Sequence, residues 1–278
     1  AIEVFRKGPP QNWRGAHVFG WHFEGPFLNP VKKGAHNPDC LILPDMEFIS
    51  NWSRENGVAL VTMAPELPGA EEVASRLRER GVVLSIGHSF ATLDEARRAV
   101  GEGFTSATHL FNAMPPLDHR QPGLACEVLL NPAVTTGIIA DGQHVDPNMV
   151  NLAWKMKAPD KLALVSDAVG ALGMPPGDFI QGGLEIVVSE DSAKLKNGTL
   201  AGSVLRLDRA LRNVMAFTGS SIDQVLPALG IVQANLLGLP KNGRIEPGFN
   251  ADLTVVDNAG NLKMTIVGGN ILFDTEKD

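Results

Sequence analysis

The sequence predicts an α/β protein whose main body is a TIM-like (β/α) barrel. About six of the usual eight strands are expected, with further short β-strands outside the barrel. Short apolar runs occur six times, and each ends in a polar side chain. Amphipathic segments separate the runs, and after about residue 175 short stretches with turn residues take over. Apolar strands that alternate with helices are typical of a parallel sheet covered on both faces.

The ends of the six apolar runs favour a barrel over an open sheet. In parallel α/β proteins the functional groups collect at the carboxyl ends of the strands, and in a barrel these ends surround one mouth. An open sheet would spread the same groups along an edge. The polar residues at the six ends are Glu24, Glu66, His88, His109, the pair Asp141 and His144, and Asp167.

Amphipathic patterns predict the helices that connect the strands. The segment after the third strand opens with Thr92 and Glu95, which have the spacing of a capping box. The predicted helical segments are 44–57, 69–81, 92–103, 146–159, 204–219 and 221–239.

Two kinds of segment define the predicted domains. The barrel is expected to comprise residues 14–178 and 199–240. Residues 179–198 and 241–278 are expected to supply short β-strand segments outside the barrel, since they combine short alternating runs with turn residues.

Composition limits the classes of function. The net charge of −7 at pH 7 argues against a general nucleic-acid-binding protein, although a small anionic substrate remains compatible with it. The chain has no apolar run of membrane-spanning length, and its first residues lack the apolar core of a signal peptide. Its two cysteines, Cys40 and Cys126, have no metal-binding spacing, and we expect both to be buried in a cytoplasmic protein.

Three strand ends carry the side-chain types of a metal site. Glu24, His88 and His109 offer one carboxylate and two imidazoles, which suit a divalent ion such as Zn²⁺ or Fe²⁺. Each residue alone is best interpreted as an ordinary polar loop residue. The three together, at three strand ends, favour a metal centre. Asp167 ends the sixth strand, where it is a candidate general base or, alternatively, a helix-capping residue.

A second group of polar residues suits an anionic or hydroxyl-rich substrate. Arginine recognises phosphate with a fork of donors, although a solvated surface position is the default for Arg120. Lys32 and Lys33 are expected to be a solvated pair, and Glu66 has an equally plausible role in a turn. The substrate-binding candidates are His36, Asn112, Arg120 and His144.

Six motifs in a fixed order resemble one family. The stretches "HFEGPFLNPVKKGAHN", "SIGHSFATLDEA", "ATHLFNAM", "GIIADGQHVD", "LVSDA" and "NGTLAGS" resemble the N-acetylglucosamine-6-phosphate deacetylases of the amidohydrolase superfamily. The resemblance extends from about residue 18 to the C-terminus. It implies a barrel of the amidohydrolase type, with residues 179–198 and 241–278 as the remnant of a small β-sandwich or insert beside it. It also implies metal-dependent removal of the N-acetyl group from N-acetylglucosamine 6-phosphate. N-acetylgalactosamine 6-phosphate is the alternative substrate, and a non-catalytic fragment that binds metal or sugar phosphate is the alternative function.

The resemblance also implies roles for individual residues. Glu24, His88 and His109 would bind the metal, Asp167 would act as acid and base, and His36 would stabilise the oxyanion. Because the family's phosphate-binding arginine can come from a partner subunit, a homodimer is implied. The residues expected to bind substrate are Ala35, Asn112, Ala113, Arg120, His144, Leu200, Ala201 and Gly202.

The N-terminal part departs from the family pattern. Family members begin with a sandwich segment and a first barrel strand, which often carries an HxH metal pair, and neither is found here. We therefore expect one divalent ion, with Zn²⁺ preferred over Fe²⁺, Mn²⁺ or Co²⁺. The sheet edges left by the missing strands are expected to be covered by domain swapping, a dimer contact or rearranged termini.

Overall fold

The computed structural model describes residues 2–277, and its centre is a curled sheet of six parallel strands. Each strand pairs with the next one along the chain, so the sheet order equals the sequence order. This arrangement confirms the predicted six-stranded part of a TIM-like barrel. The strands are β1 (Trp21–Glu24), β2 (Val58–Met63), β3 (Val83–Ile86), β4 (Phe104–Ala107), β5 (Thr135–Ile138) and β6 (Leu162–Leu164).

Helices connect these strands and pack on the outside of the sheet. Thr92 and Glu95 form the predicted capping box at the start of the third helix, with each side chain bonded to the other's backbone N–H. The helices are α1 (Ile2–Arg6), α2 (Ala70–Glu79), α3 (Leu93–Gly101), α4 (Gly123–Leu130), α5 (Pro147–Lys157), α6 (Leu207–Thr218), α7 (Ile222–Val225) and α8 (Ile231–Leu236).

The helix predicted at 44–57 is wrong, since this segment folds as a series of turns. Asp45 Oδ1 accepts hydrogen bonds from the backbone N–H groups of Glu47 and Phe48, which starts a turn instead of a helix. Arg80 then donates to the carbonyl oxygens of Ile49, Ser50 and Trp52. These carbonyl groups are thereby satisfied by a side chain rather than by a helical ladder.

Two other helical regions also differ from the prediction. The segment 221–239 is divided into α7, a 3₁₀ turn at Leu226–Leu229, and α8. Pro227 lacks a donor for a continuous ladder, and Gly230 has the non-helical φ of −153°. The helix α4 was not predicted, because it is apolar on nearly every side and therefore lacks a helical period.

The edges of the six-stranded sheet are flanked by other parts of the chain. Beyond β6, Ala168 forms a parallel bridge with Ser203, and α6 and α8 pack against β6. On the other side, Ile2 of α1 packs against the main core, and Arg6 donates to Asn56 just before β2. The largest fully buried side chains of the core include Phe27, Phe104, Met63, Leu84 and Ile138.

Two small antiparallel sheets lie outside the barrel strands. One contains β7 (Gly177–Gln181), β8 (Leu184–Val188) and β9 (Ala193–Leu195), and it has its own small core around Ile186 and Ala193. The other contains β10 (Leu253–Val256), β11 (Leu262–Val267) and β12 (Asn270–Asp274). The division of the chain into domains, as drawn from the sequence, stays a prediction.

The helices and the cysteines bear on two expectations from composition. No single helix within residues 2–277 is long and apolar enough to cross a bilayer; only α6 and the Ile222–Leu236 segment together reach that length and composition, across a bend of 113°. The expectation that both cysteines are buried is wrong. Cys126 is half-buried, but Cys40 is exposed, because it ends a short 3₁₀ turn on a surface loop.

Candidate active site

The carboxyl ends of the barrel strands surround a cavity of about 1270 Å³. Its walls include all the predicted site residues except Arg120. Those that line it are Glu24, Ala35, His36, His88, His109, Asn112, Ala113, His144, Asp167, Leu200, Ala201 and Gly202. The fold therefore brings together residues that are up to 178 positions apart in the sequence, as expected when the carboxyl ends of barrel strands surround one mouth.

Three of these side chains converge on one point. Glu24 Oε1 lies 2.7 Å from His88 Nε2 and 2.8 Å from His109 Nε2. The two Nε2 atoms are 3.1 Å apart. Both histidines are buried, at 5% exposure each, so the three polar atoms face one another at the bottom of the cavity.

The hydrogen bonding of His88 indicates what this cluster can hold. His88 Nδ1 donates to the carbonyl oxygen of Lys32 across 2.7 Å, which leaves a lone pair on Nε2 in the neutral ring. That lone pair points at the Glu24 carboxylate and at His109 Nε2. Acceptors placed this close repel one another unless a proton or a cation lies among them. One carboxylate oxygen and two imidazole nitrogens fit a divalent metal ion.

The electrostatics of the cluster agree with this interpretation. Burial by itself would raise the pKa of Glu24, but hydrogen bonds from His109 and His88 outweigh it and hold this pKa well below the usual value. Burial would lower the pKa of His109, yet its hydrogen bond to Glu24 and the nearby carboxylates raise it. A negative charge on Glu24 and a positive charge beside it are therefore both favoured.

The backbone at these strand ends is strained. His88, His109 and Asp167 have φ values of 49°, 30° and 49°, in the left-handed region that favours glycine. A non-glycine residue in such a conformation costs about 1–3 kcal/mol and persists only where its surroundings hold it. Three predicted site residues share this conformation at three separate strand ends, which is typical of a functional centre.

His36 lies at the rim of the same cluster. Its ring packs edge-on against His88 with 4.6 Å between centroids. Its Nδ1 donates to the Lys33 carbonyl oxygen across 3.0 Å, and one of its ring nitrogens lies within 4.8 Å of possible ligand atoms of Glu24 and His88. Burial and then the neighbouring His88 lower the pKa of His36, so the neutral ring with an Nε2 lone pair is favoured.

Asp167 is held in place by the segment that contains Gly202. Ser203 N–H donates to the Asp167 carbonyl oxygen across 2.7 Å, and Val169 N–H donates to the Ser203 carbonyl oxygen across 2.9 Å. Gly202 has a φ of 95°, and a Cβ at this position would lie only 2.9 Å from the Asp167 carbonyl oxygen. The carboxylate of Asp167 is half-buried, and its charge raises the pKa of His109.

His144 enters the cavity as half of a buried pair. Its Nδ1 lies 2.6 Å from Asp141 Oδ2, and the two side chains are 5% and 6% exposed. Asp141 also accepts from the backbone N–H groups of Gln143 and His144, and these hydrogen bonds outweigh burial and lower its pKa. The carboxylate therefore keeps the proton of neutral His144 on Nδ1 and leaves Nε2 free to bind.

The remaining substrate-binding candidates differ in position. Asn112 and Ala113 line the cavity on the loop after β4, and the left-handed φ of Ala113, 51°, shapes that loop. Arg120 lies outside the cavity walls on an exposed loop, where its N–H donates to Asp118. This chain therefore does not bring Arg120 to its own cavity.

Two groups beside the site have roles that the sequence did not predict. Lys32 is not simply solvated, because its ammonium donates to the Met114 carbonyl oxygen across 2.9 Å and lies over the Phe90 ring. Its backbone carbonyl is the partner of His88. Glu66 accepts hydrogen bonds from two other loops. The contacts of Glu66 had one signal in the sequence, its position at a strand end, and those of Lys32 had none.

His22 faces the cavity rather than the protein interior. It is exposed, and its Nε2 lies 2.7 Å from Thr62 Oγ1 on the neighbouring strand. A hydroxyl chain continues from Thr62 to Thr108 and on to Ser85, with O···O distances of 2.6 and 2.7 Å. His22 is thus hydrogen-bonded on the wall of the same cavity as the metal-type cluster.

A parallel barrel with a Glu–His–His cluster and an Asp at its strand ends is typical of metal-dependent hydrolases. The Amidohydrolase family model matches residues 15–272, and the chain belongs to this family. Within it, an N-acetylglucosamine-6-phosphate deacetylase of Lysinibacillus sphaericus is 38% identical over 94% of this chain and 68% of its own length. An N-acetylgalactosamine-6-phosphate deacetylase of Escherichia coli O157:H7 is 31% identical over 92% of this chain and 69% of its own length.

Solved structures give the same grouping. The N-acetylglucosamine-6-phosphate deacetylase of Thermotoga maritima superposes with a TM-score of 0.87 at 36% identity, over 92% of this chain and 70% of that one. A variant of the Mycobacterium smegmatis enzyme in complex with N-acetyl-D-glucosamine-6-phosphate gives 0.88 at 33% identity, over 97% and 70% of the two chains. The chain thus spans about two thirds of the length of its relatives.

Proposed function

We propose that this chain hydrolyses the N-acetyl group of N-acetylglucosamine 6-phosphate to give acetate and glucosamine 6-phosphate. The observation that carries the proposal is the meeting of Glu24, His88 and His109 within 3.1 Å at the bottom of a cavity that Asp167 also lines. The deacetylases to which the chain is similar support the choice of substrate.

Glu24, His88 and His109 would hold one divalent metal ion, and Zn²⁺ is the ion proposed. Two imidazoles and one carboxylate suit Zn²⁺, and Fe²⁺, Mn²⁺ and Co²⁺ accept the same donors. When bound, such an ion polarises a carbonyl oxygen and lowers the pKa of a nearby water. Lys32 supports the site by fixing the tautomer of His88 through its backbone carbonyl.

Asp167 is proposed as the general base and then the general acid. Its carboxylate accepts a proton from the water that attacks the acetamide carbon, and it returns this proton to the nitrogen as the C–N bond breaks. The second proton of the water passes from the nascent acetic acid to the amine, so the products are acetate and an ammonium group and both protons are accounted for. His36 is proposed to stabilise the developing oxyanion from Nε2. Because burial and His88 lower its pKa, the ring would do so as the neutral tautomer, with its proton moved from Nδ1 and the Lys33 carbonyl oxygen to Nε2.

Asn112, the backbone of Ala113 and His144 are proposed to hold the sugar phosphate. All three line the cavity, and Asp141 leaves His144 Nε2 available for an oxygen of the substrate. Ala35 would lie near the acetamide, and Leu200, Ala201 and Gly202 would cover the sugar ring. Because Arg120 does not line its own cavity, we propose that it reaches the phosphate bound by a partner subunit in a homodimer.

A second candidate substrate is N-acetylgalactosamine 6-phosphate. The relative from Escherichia coli O157:H7 that bears this name supports it, at 31% identity. The two sugars differ at one hydroxyl group, so their rates measured side by side on the same preparation identify the preferred epimer.

Acetate release from N-acetylglucosamine 6-phosphate tests the proposal. Activity is expected with Zn²⁺ present, to disappear after chelation and to return when Zn²⁺ is added back. Acetate release that continues unchanged after chelation contradicts the proposed metal site. A metal-loaded protein that releases no acetate from either sugar supports the alternative of a binding fragment.

A further inference from the structure

Glu66 connects two loops that come from different strands. It follows β2, and its Oε1 accepts from Asn29 Nδ2 across 2.9 Å and from the Phe90 N–H across 2.6 Å. Its Oε2 accepts from Ser89 Oγ across 2.6 Å. One half-buried carboxylate is therefore bound by three donors, two on the loop after β3 and one on the loop after β1.

Both of these loops follow a residue of the metal-type cluster directly. Ser89 and Phe90 come immediately after His88, and Asn29 lies five residues after Glu24. Asn29 N–H also donates to the His88 carbonyl oxygen across 2.9 Å. The hydrogen bonds of Glu66 thus surround the peptide unit that carries His88.

A simple turn role does not account for these contacts. A carboxylate that closed its own turn would accept from the N–H groups of the next two or three residues. The donors to Glu66 instead lie 23, 24 and 37 positions away in the sequence. They also adjoin His88, whose φ of 49° requires outside support.

We infer that Glu66 is a positioning residue that holds His88 in its strained conformation and so presets the metal site. Glu66 itself does not line the cavity. Its carboxylate keeps the loops after β1 and β3 at a fixed separation, which keeps His88 Nε2 beside Glu24 Oε1. The inference rests on the proposed metal function of this cluster.

The test compares the affinity for Zn²⁺ of the wild-type chain and three variants, measured by competition with a chromogenic chelator. Glu66→Ala removes all three hydrogen bonds, and we expect its affinity to fall by about 10- to 100-fold, as for lost groups that orient metal ligands. Glu66→Gln keeps the shape and an acceptor oxygen, and Ser89 can reverse its hydroxyl, so affinity within about threefold of the wild type is expected. Glu72→Ala, an exposed carboxylate on α2, is the matched control and should bind as the wild type does.

Amide hydrogen exchange of the metal-free protein gives a second, independent measurement. Exchange of the Phe90 amide should accelerate in Glu66→Ala and stay slow in the control. If Glu66→Ala does not fold, Ser89→Ala removes one of the three bonds and should weaken Zn²⁺ binding about threefold or more. A folded variant that lacks these hydrogen bonds and keeps both wild-type Zn²⁺ affinity and slow exchange overturns the inference.

Activity is followed separately, so that the two proposals fail in different ways. If the wild type binds Zn²⁺ but releases no acetate, the proposed function fails. The Zn²⁺ affinities of the variants then still decide the role of Glu66. If the wild type binds no Zn²⁺, the metal proposal fails, and unchanged exchange at Phe90 in Glu66→Ala would overturn the positioning role as well.

Discussion

Asp141 and His144 form a buried pair in which Oδ2 and Nδ1 lie 2.6 Å apart, three positions apart in the chain. The pair presents a single free nitrogen, His144 Nε2, to the cavity. Asp141→Asn offers Nδ1 an amide in place of the carboxylate, and because the amide can turn either its oxygen or its NH2 group to the ring, it no longer fixes the tautomer of His144. We expect the KM for the sugar phosphate to rise about tenfold or more while kcat changes less. Steady-state kinetics with saturating metal measure this split, and an unchanged KM would refute it.

Asp167→Asn should abolish proton transfer without removing a metal-type donor. The amide cannot accept a proton, so acetate release is expected to fall by roughly 10²–10⁴-fold. Zn²⁺ affinity and the binding of the substrate should stay close to the wild-type values. Single-turnover assays and calorimetry on the same preparation make the comparison. Full activity in the Asn variant would remove Asp167 from the mechanism.

Metal binding should stabilise the fold through the cluster of Glu24, His88 and His109. An ion at about a hundredfold excess over its Kd adds about 2.7 kcal/mol, which raises Tm by roughly 5 °C in a protein of this size. Thermal unfolding of the chelated protein, with and without added Zn²⁺, measures the shift. In His109→Ala the shift should largely disappear. A variant that keeps the full shift would place the ion elsewhere.

The tight packing of Gly202 on Asp167 predicts a sensitive position. In Gly202→Ala the new Cβ would meet the Asp167 carbonyl oxygen at 2.9 Å, so the strand end must move. We expect a loss of stability of about 1–3 kcal/mol and a fall in kcat. Gly198→Ala is the matched control, because Gly198 has a similar φ of 88° with no atom within 4 Å of the added Cβ. Equal activity losses in both variants would show that backbone strain alone is responsible.

The buried side chain of Lys157, which lies outside the candidate active site, is expected to make the free energy of unfolding depend on pH. It is 4% exposed, it donates to the Asn131 carbonyl oxygen, and burial lowers its pKa to about 8. The unfolded chain keeps this proton up to about pH 10.5, so it holds more protons than the folded chain above about pH 8. The contribution of Lys157 to stability therefore rises with pH across this window.

Lys157→Met removes that titration. The free energy of unfolding of the wild type, relative to the variant, should increase by about 1–2 kcal/mol between about pH 7.5 and pH 10, after allowance for solvent screening. Urea unfolding of both proteins at several pH values measures the difference. Parallel profiles would contradict the lowered pKa.

The sequence was sufficient for the barrel strands and for most of the candidate site. Each strand is a buried apolar run, and side chains at the ends of parallel strands meet because of topology alone. This is why the strand pattern predicts that His88 and His109, which are 21 positions apart, share one site. The cytoplasmic location expected from the two cysteines stays a prediction.

The missed features depend on contacts between distant residues. The amphipathic period at 44–57 was real, but three carbonyl groups of this segment bond to Arg80 instead of to a helix. Lys32 was expected to be a solvated charge, yet its ammonium donates to the Met114 carbonyl oxygen, and its own carbonyl oxygen accepts from His88 Nδ1. Hydrogen bonds of this kind produce no periodic pattern in a sequence. The hydrogen bonds from Glu66 to the loops after β1 and β3 were not predicted for the same reason.

The left-handed backbone at His88, His109 and Asp167 has a consequence for engineering. Glycine adopts these φ values without strain, so removing an entire side chain there would leave the surrounding chain path undisturbed. Each such replacement would create a vacancy with the shape of the lost ring or carboxylate in an otherwise intact pocket. Free imidazole and formate match the lost ring and carboxylate in size. The cavity at the carboxyl ends of the barrel strands is therefore suited to variants that bind externally supplied ligands.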